Sequence, residues 1–369
     1  MERVLLITAY PPSEVGAAVK NTKYLIKELS EDFCVDIVYF KDDDDVDYIP
    51  DNDNINIIKK VPNSIFFRLK NALGHPIYHP LFSVRYNRKV FRWLQERIEK
   101  NNYSALIFDH SQTFIYARKL KYNGVKILLS HDIEAQRVKR SSNKLMYNMC
   151  LNSEKLFLST PGVQRFALCQ KDVDLIYSLY GLDAKVSLIY IDERIEGIKP
   201  EALNNEFVMI GSWDRADNYE GAIWLLNGLP QYLSKTITVN IIGKRFPIDR
   251  IRKTDKIVIN NLGFVDDPYP LISESKAMLS PLFSGAGIKV KVIDSLGCGT
   301  PVIGTDIAFE GFAPQYETFM MRCHDLQSFA KAIETVDYCL KERISFKQMF
   351  ISDYKSTTIP KWLKAKLFS

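Results

Sequence analysis

Short apolar runs alternate with helical patterns along this chain. Residues 4–9 and 34–40 predict strands, and residues 17–29 between them carry apolar side chains at helical spacing. This order is a βαβ unit, so we expect a parallel sheet. The same theme continues, with further strands predicted at residues 105–108, 125–129, 174–176 and 186–190.

The alternation restarts after residue 200. Strands are predicted at residues 207–210, 236–242, 256–259, 277–282 and 301–303, and residues 221–233 have helical spacing. A charged stretch with Gly and Pro near residues 192–205 separates the two series and is typical of a linker. We therefore expect an α/β fold with two doubly wound, Rossmann-like domains, at residues 1–195 and 200–340, facing a central cleft. Ligands of such sheets bind beyond the carboxyl ends of the strands.

Composition narrows the class of protein. A length of 369 residues suits two domains, and 46% hydrophobic with 25% charged residues argues against disorder. A net charge of +5 is too small to indicate a nucleic-acid partner. The six cysteines have no metal-ligand or redox spacing, and no apolar run has the length of a signal or membrane-spanning segment. We expect a cytoplasmic protein.

The most informative motif is a glycine loop that follows a predicted strand. Gly285 and Gly287, on either side of Ala286, allow a tight turn and a close backbone approach by a ligand. The helix expected after the loop offers unpaired N–H groups and the positive end of its dipole, with Lys289 and Lys291 beside them. Together these donors suit a diphosphate, although two glycines alone are equally typical of a plain strand–helix turn.

The longer string around this loop resembles glycosyltransferases of family 4 (group 1), which have the GT-B fold. Those proteins carry a glycine loop, a basic residue and then Glu-Ala-Met-Ala-x-Gly-x-Pro-Val-Ile, and the counterpart here runs from Asp294 to Ile303. The resemblance implies that the loop, through Ile288, and Lys289 or Lys291 hold the nucleotide diphosphate and that Asp294 binds ribose. Asp294 replaces the usual Glu, and Ser284 replaces an earlier acid of the family.

Other strand ends of the second domain fit the same resemblance. Gly211 and Ser212 form the turn after the first strand of this domain, which implies that they lie near the donor phosphates. Lys244 would supplement phosphate binding, with a solvated surface charge as the alternative. Phe264 would stack against or wall the base, with a core role as the alternative.

In the first domain, the resemblance points to two loops. Gly16 begins a helix after the first strand, where family members contact donor and acceptor. His131 leads the loop after the strand at 125–129, where a family histidine contacts the reacting sugar; a neutral imidazole can donate to a hydroxyl or act as a base. We expect Asp132 or Glu134 to orient His131 or bind the acceptor. His110 fits a functional and a structural role equally well.

The resemblance implies a metal-independent, retaining glycosyltransferase of the hexosyltransferase type, acting in polysaccharide biosynthesis. It would move a sugar from a nucleotide diphosphate sugar to a glycan or a lipid-linked glycan, with no cofactor. As in GT-B proteins, the terminal helix from about residue 340 is expected to pack back onto the first domain. Two alternatives stay open: a sugar-nucleotide epimerase of the same fold, and a catalytically inactive GT-B subunit that binds a partner transferase.

Residues 65–100 are rich in basic and aromatic side chains. One interpretation is a peripheral contact with the inner face of a membrane, near a lipid-linked acceptor. The other is an ordinary amphipathic helix with a solvated basic face. The sequence leaves both open.

Overall fold

The computed structural model describes residues 1–13, 17–199, 203–285, 287–355 and 358–368, without the side chains of Ala17, Ala18 and Ser141. The chain forms two compact units, Met1–Tyr190 with Thr357–Ser369 and Ile191–Ser356. None of the helices in the described part of the chain has the length and apolar character that a membrane-spanning segment needs.

The first unit is built on a seven-stranded parallel sheet in the order β3-β2-β1-β4-β5-β6-β7. Its central strands are almost wholly buried and apolar, as expected when helices cover both faces of a parallel sheet. The strands are β1 (Glu2–Thr8), β2 (Phe33–Lys41), β3 (Ile55–Pro62), β4 (Tyr103–Asp109), β5 (Val125–Ser130), β6 (Val163–Ala167) and β7 (Lys185–Val186).

Helices connect these strands, and the last helix of the chain also belongs to this unit. They are α1 (Ala17–Asp32), α2 (Ile65–Leu73), α3 (Pro80–Ser83), α4 (Arg88–Lys100), α5 (Phe114–Lys119), α6 (Glu134–Ser141), α7 (Lys144–Leu158), α8 (Gln170–Tyr180) and, after the second unit, α15 (Ile359–Phe368).

The second unit repeats the plan with six parallel strands in the order β10-β9-β8-β11-β12-β13. Its strands are β8 (Glu206–Ile210), β9 (Ile237–Ile242), β10 (Ile257–Gly263), β11 (Ala277–Ser280), β12 (Val302–Gly304) and β13 (Met320–Arg322). Its helices are α9 (Glu193–Gly197), α10 (Ala216–Gly228), α11 (Tyr269–Glu274), α12 (Val290–Gly297), α13 (Leu326–Thr335) and α14 (Leu340–Lys355). Both sheets have the doubly wound strand order, so the predicted fold class, two Rossmann-like α/β domains, is confirmed.

The expected strand at residues 174–176 is wrong. These residues lie in α8, where Ile176 packs its side chain into the core of the first unit. The strand next to β5 is instead β6, and β7 has only two residues where residues 186–190 predicted a longer strand. Residues 174–176 contain only two apolar side chains, which fit either element, and only packing against the sheet decides between them.

Helix α14 belongs to the second unit, so the return to the first unit starts later than residue 340. Arg343 of α14 is buried and donates to the backbone oxygens of Ser273, Ser275 and Gly299 at 2.8, 2.9 and 2.7 Å. These carbonyls stand at the ends of α11 and α12, where the helices leave oxygens without internal partners. The guanidinium therefore holds α14 against both helix ends.

Backbone-to-backbone packing fixes α10 on the end of β11. A Cβ atom added at Gly221 of α10 would lie 1.5 Å from the carbonyl oxygen of Pro281. No side chain fits at that distance, so glycine is required at this crossing.

We predict that Gly221→Ala destabilises the second unit by about 2 kcal/mol or more, because the helix must move off Pro281. The test is the midpoint of urea unfolding of the full chain. Gly197→Ala is the matched control, since nothing lies within 4 Å of a Cβ at Gly197. Equal midpoints for the two variants would contradict the close packing.

Candidate functional site

The carboxyl ends of three strands of the second sheet meet through their backbones. The N–H of Gly211 donates to the oxygen of Ile242 at 3.2 Å, and the N–H of Gly243 donates to the oxygen of Gly263 at 2.6 Å. A Cβ at Gly243 would lie 2.0 Å from the oxygen of Gly211, and its φ of 127° also favours glycine. The predicted turn at Gly211 thus lies where the backbones at the ends of β8, β9 and β10 converge.

The glycine loop follows the next strand of the same sheet. Gly285 and Gly287 have φ of 128° and 65°, in the region that side chains disfavour. Ala286 lies outside the described residues. Ile288 is buried, and the helix expected after the loop, α12, begins at Val290.

Lys289 stands at the N-cap of α12 and folds back over the loop. Its ammonium donates to the oxygen of Gly287 at 2.6 Å, and the carboxylate of Glu310 lies 3.9 Å away. Glu310 therefore brings an acid to the loop, whereas Ser284, in the place of the family's acid, is exposed.

Lys291 joins α12 to the turn after β8. Its ammonium donates to Oδ1 of Asn218 at 2.8 Å, and Nδ2 of Asn218 donates to the oxygen of Ser212 at 3.0 Å. Burial lowers the pKa of Lys291 to about 8. Asn218 was missed by the sequence reasoning, because a lone Asn inside a helix carries no recognisable pattern.

The remaining candidates of the second unit are Lys244 and Phe264, which follow β9 and β10, and Asp294 on α12. Lys244 places its ammonium 4.8 Å from the ring centre of Phe264, and this ring is 57% exposed, which argues against a core role. Asp294 is half-buried on α12. Burial and the Asp294 carboxylate raise the pKa of Tyr269, so Asp294 lies near α11.

In the first unit, a buried carboxylate holds His131. Nε2 of His131 lies 2.6 Å from Oδ1 of Asp109, the last residue of β4. The hydroxyls of Thr8 and Thr22 donate to the other oxygen, Oδ2, at 2.8 and 2.7 Å. Burial raises the pKa of Asp109, but the neighbouring imidazoles and these donors outweigh burial and hold the pKa well below its usual value. Since an ionised Asp109 can only accept, Nε2 of His131 carries the proton.

His110 stacks on His131 with ring centres 3.7 Å apart. Burial lowers the pKa of His110 to about 3, so its imidazole is neutral. Nε2 of His110 lies 3.4 Å from Oδ2 of Asp109. Two other buried atoms, Nδ1 of His131 and Oε1 of Gln112, have no hydrogen-bond partner among the described residues. Since buried polar atoms are nearly always satisfied, this end of the sheet suits a ligand rich in hydroxyl groups.

The same cluster brings metal-ligating atoms together. Asp109, His110 and His131 can place one ligand atom each within 4.8 Å of one another. However, Nε2 of His131 and both oxygens of Asp109 are already joined by the hydrogen bonds given above. A metal would have to break this network, so the geometry fits a hydrogen-bonded carboxylate–imidazole pair better.

The expected orienting groups, Asp132 and Glu134, are not the ones that hold His131. Asp132 is half-buried and makes no hydrogen bond with His131 among the described residues. Glu134 pairs with Arg137 at 2.5 Å in the first turn of α6. Asp109 was missed because its signal, one acid at the end of a buried strand, is weak. Gly16 lies outside the described residues.

Comparison with known proteins agrees with this architecture. Residues 204–336 match the family model for glycosyl transferases of group 1. No curated protein matches the chain.

Solved structures with the same fold cover nearly the whole chain. A sucrose-phosphate synthase from Thermosynechococcus elongatus has a TM-score of 0.67 at 13% identity and covers 100% of this chain and 98% of its own. WaaG, a glycosyltransferase involved in lipopolysaccharide biosynthesis, has a TM-score of 0.62 at 12% identity and covers 98% of each chain. HepE of Anabaena, in complex with UDP-glucose, has a TM-score of 0.62 at 13% identity, covering 99% of this chain and 98% of its own.

These findings confirm the resemblance to group 1 glycosyltransferases and the GT-B fold. The family match and the fold support sugar transfer. Family 4 in particular and the roles of the individual residues stay predictions.

We predict that, in the protein without ligand, His131 carries its proton on Nε2 and that Asp109→Asn moves the proton to Nδ1. The amide can turn its N–H₂ toward His131 and its oxygen toward the two threonines, so Nε2 then accepts. Nitrogen-15 NMR of the histidine rings distinguishes the two tautomers. Asp132→Asn is the control and leaves the tautomer unchanged. The same tautomer in Asp109→Asn and in the unmodified protein would contradict the pairing.

Proposed function

We propose that this protein is a glycosyltransferase that moves a sugar, of the hexosyl type, from a nucleotide diphosphate sugar to a glycan or lipid-linked glycan. The observation that carries the proposal is the edge of the second sheet, where the glycine loop, the start of α12 and two lysines come together. That edge lies within the stretch that matches the group 1 family.

The donor diphosphate would lie on this edge. The N–H groups of the first turn of α12, which have no partner within the helix, and the ammonium groups of Lys289 and Lys291 would supply positive charge and hydrogen-bond donors. Lys289 now donates to its own loop, and a phosphate oxygen would take the place of that carbonyl as acceptor. Phe264 and Lys244 would stand beside the base, and Asp294 would accept from ribose hydroxyls.

The first unit would bind sugar hydroxyls through His131. With Nε2 committed to Asp109, Nδ1 keeps its lone pair and accepts a hydrogen bond from a hydroxyl. Asp132, half-buried at the start of the same loop, would contact the acceptor. In this arrangement Asp109 acts through His131 and is a positioning residue.

The reaction breaks the bond between the anomeric carbon and the diphosphate and forms one to an acceptor hydroxyl. Negative charge grows on the departing diphosphate, where the loop amides and the lysines stabilise it more strongly than in the ground state. In metal-dependent glycosyltransferases a metal ion stabilises this charge. Here the fixed donors would stabilise it, which supports the proposal that the reaction needs no metal. We further propose retention of configuration, in which a phosphate oxygen takes the proton from the attacking hydroxyl, and a cytoplasmic location.

One observation favours a second candidate, an inactive GT-B subunit that binds a partner transferase. Ser284 is exposed where the family has an acid, and the nearby acid, Glu310, is engaged with Lys289. Such a subunit would bind nucleotides poorly and would co-purify with the active enzyme.

We predict that the full chain binds UDP, GDP or dTDP and that Lys289→Ala with Lys291→Ala weakens binding about a hundredfold or more. Each ammonium contributes a charge-assisted hydrogen bond that alanine cannot make. Isothermal titration calorimetry with each nucleotide and its sugar conjugates measures the affinity. UDP and UDP-glucose come first, because a structural neighbour was solved with UDP-glucose.

The matched control is Lys235→Ala with Lys253→Ala. Both lysines are exposed and precede β9 and β10, so they lie toward the opposite edge of the sheet. The control binds like the unmodified protein. No binding of any nucleotide by the unmodified protein would contradict the transferase proposal and favour the inactive subunit.

We also predict that nucleotide affinity falls as the pH rises above about 8. Burial lowers the pKa of Lys291 to about 8, so above that pH the free protein loses the charge that the diphosphate needs. The affinity should drop by up to about tenfold per pH unit up to about pH 9. Calorimetry of Lys291→Arg, which stays charged over this range, should lose the pH dependence. An equal pH dependence in both proteins would assign the titration to another group.

A further inference from the structure

Helix α2 of the first unit shows its apolar side chains to solvent. None of its nine described residues is buried. The large apolar residues of the helix and of the turn that follows are strongly exposed: Ile65 73%, Phe66 68%, Leu69 60%, Leu73 79% and Ile77 76%. A helix on the surface of a globular protein normally places such residues against the core.

Polar side chains hold the opposite face of α2 on the protein. Arg68 pairs with Asp42 at 2.7 Å, and Nδ2 of Asn71 donates to the oxygen of Val84 at 3.0 Å. At about 100° per residue, Ile65, Phe66, Leu69 and Leu73 fall within one arc of about 100°, and Arg68 and Asn71 fall on the other side. The helix is thus anchored through polar groups with its apolar stripe outward.

The segment of chain that contains α2 is basic, and Asp42, the acid that lies beside the helix, is paired with Arg68. Residues 54–95 contain eight Lys or Arg and no Asp or Glu. The contact of Asn71 with Val84, and the edge-on contact of His75 with Tyr86 at 4.9 Å, place α2 beside the start of α4. Arg88 and Lys89 at that start are exposed. An apolar stripe with basic flanks complements a surface that is apolar inside and anionic outside.

We propose that residues 64–77, the α2 segment, dock the protein on an anionic lipid bilayer. The apolar side chains enter the region between headgroups and acyl chains, while Lys70, Arg88 and Lys89 contact lipid phosphates. A second copy of the chain fits this surface less well, because a two-fold interface would bring the basic flanks together. The proposal stands independently of the nucleotide site and gives a lipid-linked acceptor a place to meet the enzyme.

The test is co-sedimentation of the full chain with vesicles. We expect binding to vesicles of equal parts phosphatidylcholine and phosphatidylglycerol, and at least tenfold weaker binding to phosphatidylcholine alone. Leu69→Ser with Leu73→Ser should reduce binding to the anionic vesicles at least tenfold. Both side chains are exposed, so thermal unfolding and UDP binding of this variant stay unchanged.

The matched control is Leu145→Ser with Ile248→Ser, two exposed apolar residues elsewhere, 75% and 45% exposed. This control binds vesicles like the unmodified protein. Equal binding by both variants, or no binding by the unmodified protein, would overturn the proposal. A dimer in size-exclusion chromatography that only Leu69→Ser with Leu73→Ser dissociates would overturn it in favour of a second copy. Loss of vesicle binding with intact UDP binding separates this result from a failure of the proposed function.

Discussion

Backbone packs directly on backbone at the carboxyl edge of the second sheet, and the candidate donor site depends on it. Space for a side chain is absent at Gly221, against Pro281, and at Gly243, against Gly211. The contact between Gly221 and Pro281 packs α10 against the end of β11, the strand that leads to the glycine loop. Asn218 of α10 accepts a hydrogen bond from Lys291 at the start of α12, so α10 supports both the loop and the start of α12.

A buried carboxylate organises the corresponding edge of the first sheet. Asp109 receives hydrogen bonds from β1, α1 and the loop after β5, and so links three parts of the chain that are far apart in sequence. Because the strands run parallel, these groups end at one edge and converge there. The Asp109 carboxylate stays charged because its hydrogen-bond partners offset the cost of burial, and its charge fixes the tautomer of His131.

Local patterns predicted most of the fold and marked the loop and helix that form the candidate donor site. The apolar runs located β1, β2, β4, β5 and most of the second sheet, and the string from Gly285 to Ile303 marked the loop and α12. The pairs Asp109–His131 and Asn218–Lys291 depend on which strands and helices become neighbours, which no local pattern encodes. The orientation of α2 is a similar case, since an apolar stripe predicts burial and tertiary packing turned it outward.

Hydrogen–deuterium exchange of the full chain with and without UDP shows directly whether the nucleotide protects the backbone amides around the glycine loop and α12. We expect slower exchange in residues 287–293, at the glycine loop and the start of α12, and in residues 211–218 that support them. Protection confined to the first unit, or unchanged exchange around α12 when UDP is bound, would contradict a diphosphate site at this edge.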